Sequence, residues 1–219
     1  MLTVREGVAA VHLARRALDN ALGANAGTLP TEGEGAPSLP PVFDEPRGAF
    51  VTLKRYPDGA LRGCIGYPLP VLPLRSAIAG AAVSAATEDY RFRPVRGPDL
   101  SRISIEVSVL TVPTPVRFRT PDEAIRAIVV GRDGLIVDGF GSSGLLLPQV
   151  APEEGWTPEE LLEGTCEKAG LPRDTWKDPR VQIRRFEAQI FRESSPAGEV
   201  VRSQPELTSS VGGRRGRKT

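Results

Sequence analysis

Apolar and polar residues alternate in three parts of the chain, and this two-residue period is typical of strands with one buried face. The first alternating run, 49–54, is followed by turn residues at 56–59 and by a second short run at 61–66, which predicts a β-hairpin. The clearest strand is 102–111, and the run at 181–192 predicts a closing strand. In the clearest strand one predicted face consists of Ile103, Ile105, Val107 and Val109.

Helical spacing predicts a long first helix over 3–22, with a stop signal at Gly23. A second helix is predicted from Pro73, since proline fits the first turn of a helix. Thr-Pro-Asp/Glu-Glu sequences predict helix starts at 120 and at 157, the latter helix running over 157–169. The apolar positions that define the first helix are Val4, Val8, Val11, Leu18 and Leu22.

Two other segments differ from this pattern. Residues 127–147 hold three short apolar runs separated by glycine-containing turns, which predicts a small three-stranded antiparallel sheet. Residues 24–47 are rich in glycine and proline and lack apolar periodicity, so we expect a flexible surface loop without chemistry.

The composition is ordinary for a soluble globular protein, with 40% hydrophobic and 25% charged residues in 219. No apolar run approaches the roughly 20 residues that span a bilayer, and the N-terminus lacks a secretory pattern. We therefore expect a cytoplasmic protein with no membrane association. Arginine outnumbers lysine and thermolabile residue types are scarce, a bias shared by heat-adapted proteins and GC-rich genomes.

Charge and cysteine count narrow the candidate functions further. Residues 202–219 hold five basic residues and one acidic residue, so the net charge of +1 leaves −3 for the rest. A slightly acidic body is a poor surface for binding nucleic-acid duplexes, so nucleic-acid binding is expected only weakly, through a disordered basic tail at 203–219.

With two cysteines and one histidine the chain cannot build a conventional structural zinc site, and no metal or cofactor is predicted. A reducing compartment argues against a disulfide between Cys64 and Cys166.

The strand at 61–66 carries the most specific chemistry: Leu61, Arg62, Gly63, Cys64, Ile65 and Gly66. Glycine inside a strand is unfavourable unless another backbone or a ligand must come close. Strand alternation places Arg62 and Cys64 on one side, where the guanidinium would favour the thiolate. The alternative is that Cys64 simply packs, as most free cysteines do.

Two further residues are candidates for proton transfer to or from Cys64. Glu106 lies on the polar face of strand 102–111, either as part of a solvated face or as a carboxylate opposite Cys64. His12, the only histidine, lies at the edge of the apolar stripe of the first helix. It is either a boundary residue of the core or the base in a Cys–His pair. Cys166, near the end of the helix at 157–169, is interpreted as a packing residue.

The hexapeptide at 61–66 resembles the hallmark of the AMMECR domain family. The resemblance continues through 48–53, 105–111, 131–137, 143–151 and 176–179, and the Asp89-Tyr90-Arg91-Phe92 sequence stands where relatives have Asp-Pro-Arg-Phe. These blocks follow the family order and cover roughly residues 5 to 193. The sequence is thereby identified as a microbial member of that family.

The resemblance implies an α+β fold with two subdomains. The larger, 1–115 with 180–202, would hold an antiparallel sheet of about five strands. The smaller, 116–179, would be inserted and would hold a three-stranded antiparallel sheet with helices. Residues 61–66 would face a cleft between the subdomains, and the linkers near 112–120 and 177–181 would allow hinge motion.

The resemblance implies no established activity. It favours a regulatory or accessory protein that binds a partner protein or a sizeable ligand in a cleft lined by residues 61–66. Association within the family points to a Memo-type or radical-SAM protein as the partner. One alternative is a thiol-dependent enzyme, in which Arg62 lowers the pKa of Cys64 and Glu106 or His12 moves protons. The other is a nucleic-acid-binding protein that uses the basic tail.

Overall fold

The computed structural model describes residues 1–23 and 38–203, which form two compact units. The first unit contains the described residues of Met1–Val112 and those from Gln189 on, and the second is Pro113–Ala188. The predicted basic tail after Ser203 lies outside the described residues, as does most of the loop predicted at 24–47.

No helix within the described residues is both long and apolar enough to cross a membrane.

The helices and strands agree closely with the sequence prediction in the first unit and less closely in the second. In chain order the elements are α1 (Val4–Leu22), β1 (Ala49–Arg55), β2 (Leu61–Tyr67), α2 (Leu74–Thr87), β3 (Ile103–Leu110), β4 (Thr114–Pro115), α3 (Pro121–Ala127), β5 (Gly134–Gly139), β6 (Ser142–Leu146), α4 (Val150–Glu154), α5 (Pro158–Lys168), β7 (Gln182–Phe186), β8 (Ala188–Glu193) and β9 (Val200–Ser203). Three short 3-10 helices cover Pro41–Asp44, Gly97–Arg102 and Arg173–Lys177.

The first unit is built on a five-stranded sheet in the order β2-β1-β3-β8-β9. β1 pairs antiparallel with β2 on one side and with β3 on the other, which confirms the predicted hairpin and the predicted strand at 102–111. The alternation has the expected result: Val51, Leu53, Ile105 and Val107 are buried on one face, against α1 and α2. The residues between them are partly exposed on the other face.

The helices of this unit begin as the sequence predicts. α1 has a capping box, in which the Thr3 hydroxyl and the Glu6 carboxylate each accept a main-chain N–H of the other residue. α2 follows Pro73 and presents small residues, among them Ala81 and Ala85, to the sheet. Small side chains let the helix backbone lie close to the strands beneath it.

The second unit contains a four-stranded antiparallel sheet in the order β4-β7-β5-β6, packed against α5. The α+β class with two antiparallel sheets is confirmed. The second sheet was predicted to have three strands, but it has four. The run at 128–130 is a turn instead of a strand, because the Asp133 carboxylate accepts the Val129 N–H and the Asp133 N–H bonds back to the Val129 carbonyl. Strands β4 and β7 complete the sheet instead.

The single closing strand predicted at 181–192 is also wrong. It is two strands, β7 in the second sheet and β8 in the first. Each of these two strands has one buried face, so the alternation continues from β7 into β8. Periodicity alone therefore does not separate the two strands.

Residues 38–47 do not form the featureless loop that was predicted. Phe43, in the 3-10 helix Pro41–Asp44, is fully buried in the first core. The Arg47 N–H donates to the Leu72 carbonyl, and the Leu74 N–H donates to the Glu45 carbonyl. A single buried aromatic residue produces no periodicity, which is why the sequence pattern missed it.

Gly63 sets how closely β2 and α2 approach, and its replacement tests this. A Cβ at position 63 would overlap the carbonyl oxygen of Ala85, a main-chain atom that cannot move independently. We expect Gly63→Ala to lower the free energy of unfolding by about 1–3 kcal/mol in urea titrations. The matched control is Gly80→Ala in α2, where a Cβ would lie 3.1 Å from the hydroxyl of the flexible Tyr67 side chain. Helix propensity favours that change, so equal losses in the two variants would contradict the close approach at Gly63.

Candidate functional site

The main chain of Cys64 is held by two side chains from the segment after α2. Among the described strands, β2 lies at the edge of the sheet and pairs with β1 alone. At that edge the Cys64 N–H donates to Asp89 Oδ2 at 2.8 Å, and the Cys64 carbonyl accepts from Arg91 Nη2 at 3.3 Å. Side chains therefore take the place of a neighbouring strand at this point, which protects the edge from pairing with other chains.

Asp89 and Arg91 also bind each other through two side-chain contacts. Arg91 Nε donates to Asp89 Oδ1 at 2.8 Å and Nη2 to Oδ2 at 2.7 Å. Asp89 is 5% exposed, and burial alone would favour its neutral form. The Arg91 guanidinium, helped by the Cys64 and Arg91 amides, holds the pKa of this carboxyl well below its usual range. The pair is therefore ionised at neutral pH, and it fixes the segment to the sheet.

Tyr90 lies between the two members of this pair and is 95% exposed. The Phe92 N–H donates to the Asp89 carbonyl at 3.0 Å and closes a turn. The Arg91 guanidinium lies 5.5 Å from the centre of the Phe92 ring. We refer to residues 89–93 as the Tyr90 turn. It presents a tyrosine and two arginines, Arg91 and Arg93, from a backbone that side-chain bonds hold in place.

The Cys64 side chain lies on the partly exposed face of the sheet. Thr52, on the central strand β1, has two cross-strand partners. It pairs with Cys64 on β2 and with Glu106 on β3. The Thr52 hydroxyl donates to Cys64 Sγ at 3.3 Å, while Glu106 Oε2 accepts from Lys54 Nζ at 3.0 Å. Because one strand separates Cys64 from Glu106, their Cα atoms are roughly 10 Å apart. The carboxylate is thus paired with Lys54 rather than with the thiol.

Arg62 does not follow the simple alternation used to place it. The β1–β2 register shifts between Leu53 and Lys54, so that Gly63 and Leu61 are their partners and Arg62 has none in β1. The Arg62 guanidinium donates to the Pro94 carbonyl at 3.3 Å. The guanidinium that contacts Cys64 is that of Arg91.

His12 is exposed on α1 and is separated from Cys64 by the sheet. The buried side of α1 packs with α2 on the face that carries Val51 and Leu53, whereas Cys64 lies on the opposite face. The structure therefore brings Cys64 and Thr52 together, leaves Glu106 one strand away, and places His12 on the other side.

The two glycines of the 61–66 strand are explained by packing. Gly63 is required by the close approach of α2, as described above. A Cβ at Gly66 would overlap the ring of Phe50, its partner on β1, so this glycine makes room for an aromatic side chain. Neither glycine needs a ligand to account for it.

Sequence reasoning missed Thr52, Asp89 and Arg91. Pairing Thr52 with Cys64 requires the register of the β1–β2 hairpin. The length of the predicted turn does not fix that register. Asp89 and Arg91 lie in a sequence that resembles the family pattern. Nothing local to them indicates that their partner is the main chain of a residue 25 positions earlier.

Beside this face lies a polar cavity of about 130 Å³. Lys54, Ser104, Glu106 and Glu193 are among the residues that line it, and Cys64 is not. The Glu193 carboxylate is buried and bonded to the Arg15 guanidinium and to the Ile105 N–H. Within residues 1–23 and 38–203, no group of three histidine, cysteine or acidic side chains is placed to hold a metal ion.

Comparison with known proteins extends over both units. A family model described as AMMECR1 matches residues 11–191. A protein of Methanocaldococcus jannaschii is 48% identical over 201 residues, covering 92% of this chain and 96% of that protein. A protein of Thermococcus gammatolerans is 50% identical over 195 residues, with 88% and 92% covered. The crystal structure of an uncharacterized protein from Pyrococcus horikoshii is 44% identical with a TM-score of 0.76, over 93% of this chain and 98% of that one.

The Asp89–Arg91 pair predicts a specific loss of stability in acid. Since the folded-state pKa of Asp89 is depressed, its contribution is fully present above the unfolded value of about 4 and is lost as pH falls below it. We expect Asp89→Asn to lower the free energy of unfolding by about 2 kcal/mol at pH 7. Denaturant titrations from pH 7 to pH 2 should show this difference shrinking below about pH 4.

Asp178→Asn is the matched control for that measurement. Asp178 binds Arg180 with the same two-residue spacing and the same contacts, and its pKa is lowered to about 2 by that arginine and its N–H. Its partner is exposed, and among the described residues no strand N–H donates to the Asp178 carboxylate. A loss at neutral pH as large as that of Asp89→Asn would contradict the special role of the Cys64 contact.

Proposed function

We propose that this chain, which belongs to the AMMECR1 family as its sequence predicted, is a regulatory or accessory protein that binds a partner protein. The binding surface would comprise the Tyr90 turn and the adjoining edge of β2, with Leu61 and Arg62 at its border. The family association makes a Memo-type or radical-SAM protein the first partner to test. That residues 61–66 face a cleft between subdomains stays a prediction.

One observation carries this proposal: an almost fully exposed tyrosine lies between two residues, Asp89 and Arg91, that bind the main chain of β2. Tyrosine and arginine are the residue types most often responsible for binding energy at protein interfaces. The turn presents Tyr90, Arg91 and Arg93, and Leu61 nearby is 42% exposed. Because the Asp89–Arg91 pair already orders the turn, little conformational entropy remains to be lost on binding.

The chemistry around Cys64 supports binding better than catalysis. His12 is on the far side of the sheet, and Glu106 is paired with Lys54, so neither is placed to take the proton of the thiol. A thiol-dependent enzyme keeps one observation in its favour. The Thr52 hydroxyl donates to Cys64 Sγ, so the thiol has a polar partner on the partly exposed face of the sheet. Nucleic-acid binding by the tail at 203–219 stays a prediction, since 204–219 lie outside the described residues.

A variant at Tyr90 tests the binding proposal. We expect Tyr90→Ala to weaken capture of the partner by roughly 30-fold, the loss typical of a central interface residue. Thermal unfolding should be unchanged, because Tyr90 is 95% exposed and the substitution removes little buried surface. The assay is a titration of the tagged chain with the purified Memo-type and radical-SAM proteins of the same organism.

Tyr56→Ala, at a second exposed tyrosine of the first unit, is the control and should bind as the unaltered chain does. Equal binding by Tyr90→Ala and the unaltered chain would rule out the Tyr90 turn as the centre of the surface.

Alkylation of the native protein distinguishes the two roles of Cys64. Cys64 is partly exposed, whereas Cys166 is fully buried and burial raises the pKa of its thiol. Iodoacetamide should therefore modify Cys64 and leave Cys166 unmodified until the chain unfolds. An apparent pKa for Cys64 well below about 8.5, raised again in Thr52→Val, would favour the enzyme over the binding protein.

A further inference from the structure

Phe140 occupies a position that neither backbone conformation nor core packing accounts for. It lies in the turn between β5 and β6 with φ of 53°, in the left-handed region that favours glycine and asparagine. Its side chain is 57% exposed, so the ring contributes little to the core of the second unit. An unfavourable backbone with an exposed aromatic side chain is the kind of local strain that points to a function.

The ring of Phe140 already holds a cation from its own chain. The Arg180 guanidinium lies 4.7 Å from the ring centre. The same guanidinium donates to Asp178 through Nε at 3.0 Å and Nη2 at 2.7 Å. The arrangement of one aromatic face and one carboxylate around a planar cation is therefore present in the structure.

A cavity of about 400 Å³ lies beside this arrangement, entirely within the second unit. Leu171 and Pro172 give it an apolar wall, and Asp174 gives it a carboxylate. In the part of the chain that the structure describes, the Asp174 carboxylate forms no hydrogen bond or ion pair, whereas the Asp178 carboxylate is paired with Arg180. The complete lining is Phe140, Leu171, Pro172, Asp174, Thr175 and Asp178.

The carboxylates of Glu163 and Glu167 on α5 are already paired, so they do not compete with Asp174 for a cation. Arg173 binds both glutamates, and within the described residues no ion pair joins it to Asp174. A positively charged group entering the cavity would thus meet one carboxylate without a partner.

We propose that this cavity, which we call the Phe140 cleft, binds an arginine side chain of a partner polypeptide. The guanidinium would pair with Asp174 beside the Phe140 ring, and the methylene groups would lie along Leu171 and Pro172. A guanidinium is favoured because it stacks on aromatic rings and pairs with carboxylates in the geometry that Arg180 already shows. The site shares no residue with the Tyr90 turn, so it stands or falls independently of the proposed function.

The test is an NMR titration of the isotope-labelled full chain with the peptide acetyl-Gly-Arg-Gly-amide. The reference ligand is the same peptide with citrulline, which keeps the shape and removes the charge. We expect saturable shifts of the amides at 140–143 and 171–178 with the arginine peptide only. Asp174→Asn and Phe140→Gly should each weaken binding by about two- to fivefold.

Phe140→Gly keeps the test independent of folding, since glycine adopts the left-handed conformation freely and the variant should remain folded. Asp122→Asn, on the exposed first turn of α3, should bind as the unaltered chain does. Equal shifts with the citrulline peptide, or unchanged affinity in both Asp174→Asn and Phe140→Gly, would overturn the proposal. Tighter binding of spermidine through the same residues would also overturn it, because the ligand would then be a free polyamine.

Discussion

The ion pair between Asp89 and Arg91 is the contact on which the arrangement of the first unit's candidate surface depends. A carboxylate as buried as that of Asp89 is tolerated only when its oxygens are satisfied. Here they accept four hydrogen bonds, from the Arg91 side chain and N–H and from the Cys64 N–H. The pair closes the edge of the sheet at Cys64 and fixes the turn that carries Tyr90, so one contact sets both the end of the sheet and the geometry of the exposed surface.

A second constraint acts from the other side of β2. Gly63 lets α2 lie against the strand, and Gly66 makes room for the Phe50 ring on the opposite face. The two glycines of the 61–66 strand are therefore determined by packing, with a helix against one face and an aromatic ring on the other. Of this strand, Leu61 is exposed and Arg62 and Cys64 are partly exposed, so these side chains remain for contact with other molecules. The glycines at 63 and 66 therefore reflect the fold more than a reaction.

Much of the architecture follows from the sequence, because periodicity and capping act locally. The hairpin, β3, α1 and α5 are recognisable from alternation, helical spacing and capping residues alone. The split between β7 and β8 is not, because alternation reports that a strand has a buried face and not which sheet it joins. The buried position of Phe43 leaves no periodic trace. The register shift at Arg62 depends on how two strands pair, and His12 and Cys64 are separated by a sheet that only the tertiary structure reveals.

Amide hydrogen exchange at Cys64 tests the central contact most directly. An outward-pointing N–H on an edge strand normally exchanges readily, whereas one that donates to a buried carboxylate is protected. The account predicts a protected Cys64 amide in the unaltered chain. It also predicts that Asp89→Ala abolishes this protection while the amides of β3 keep theirs. A Cys64 amide that exchanges freely in the unaltered chain, or that stays protected in Asp89→Ala, would contradict the account.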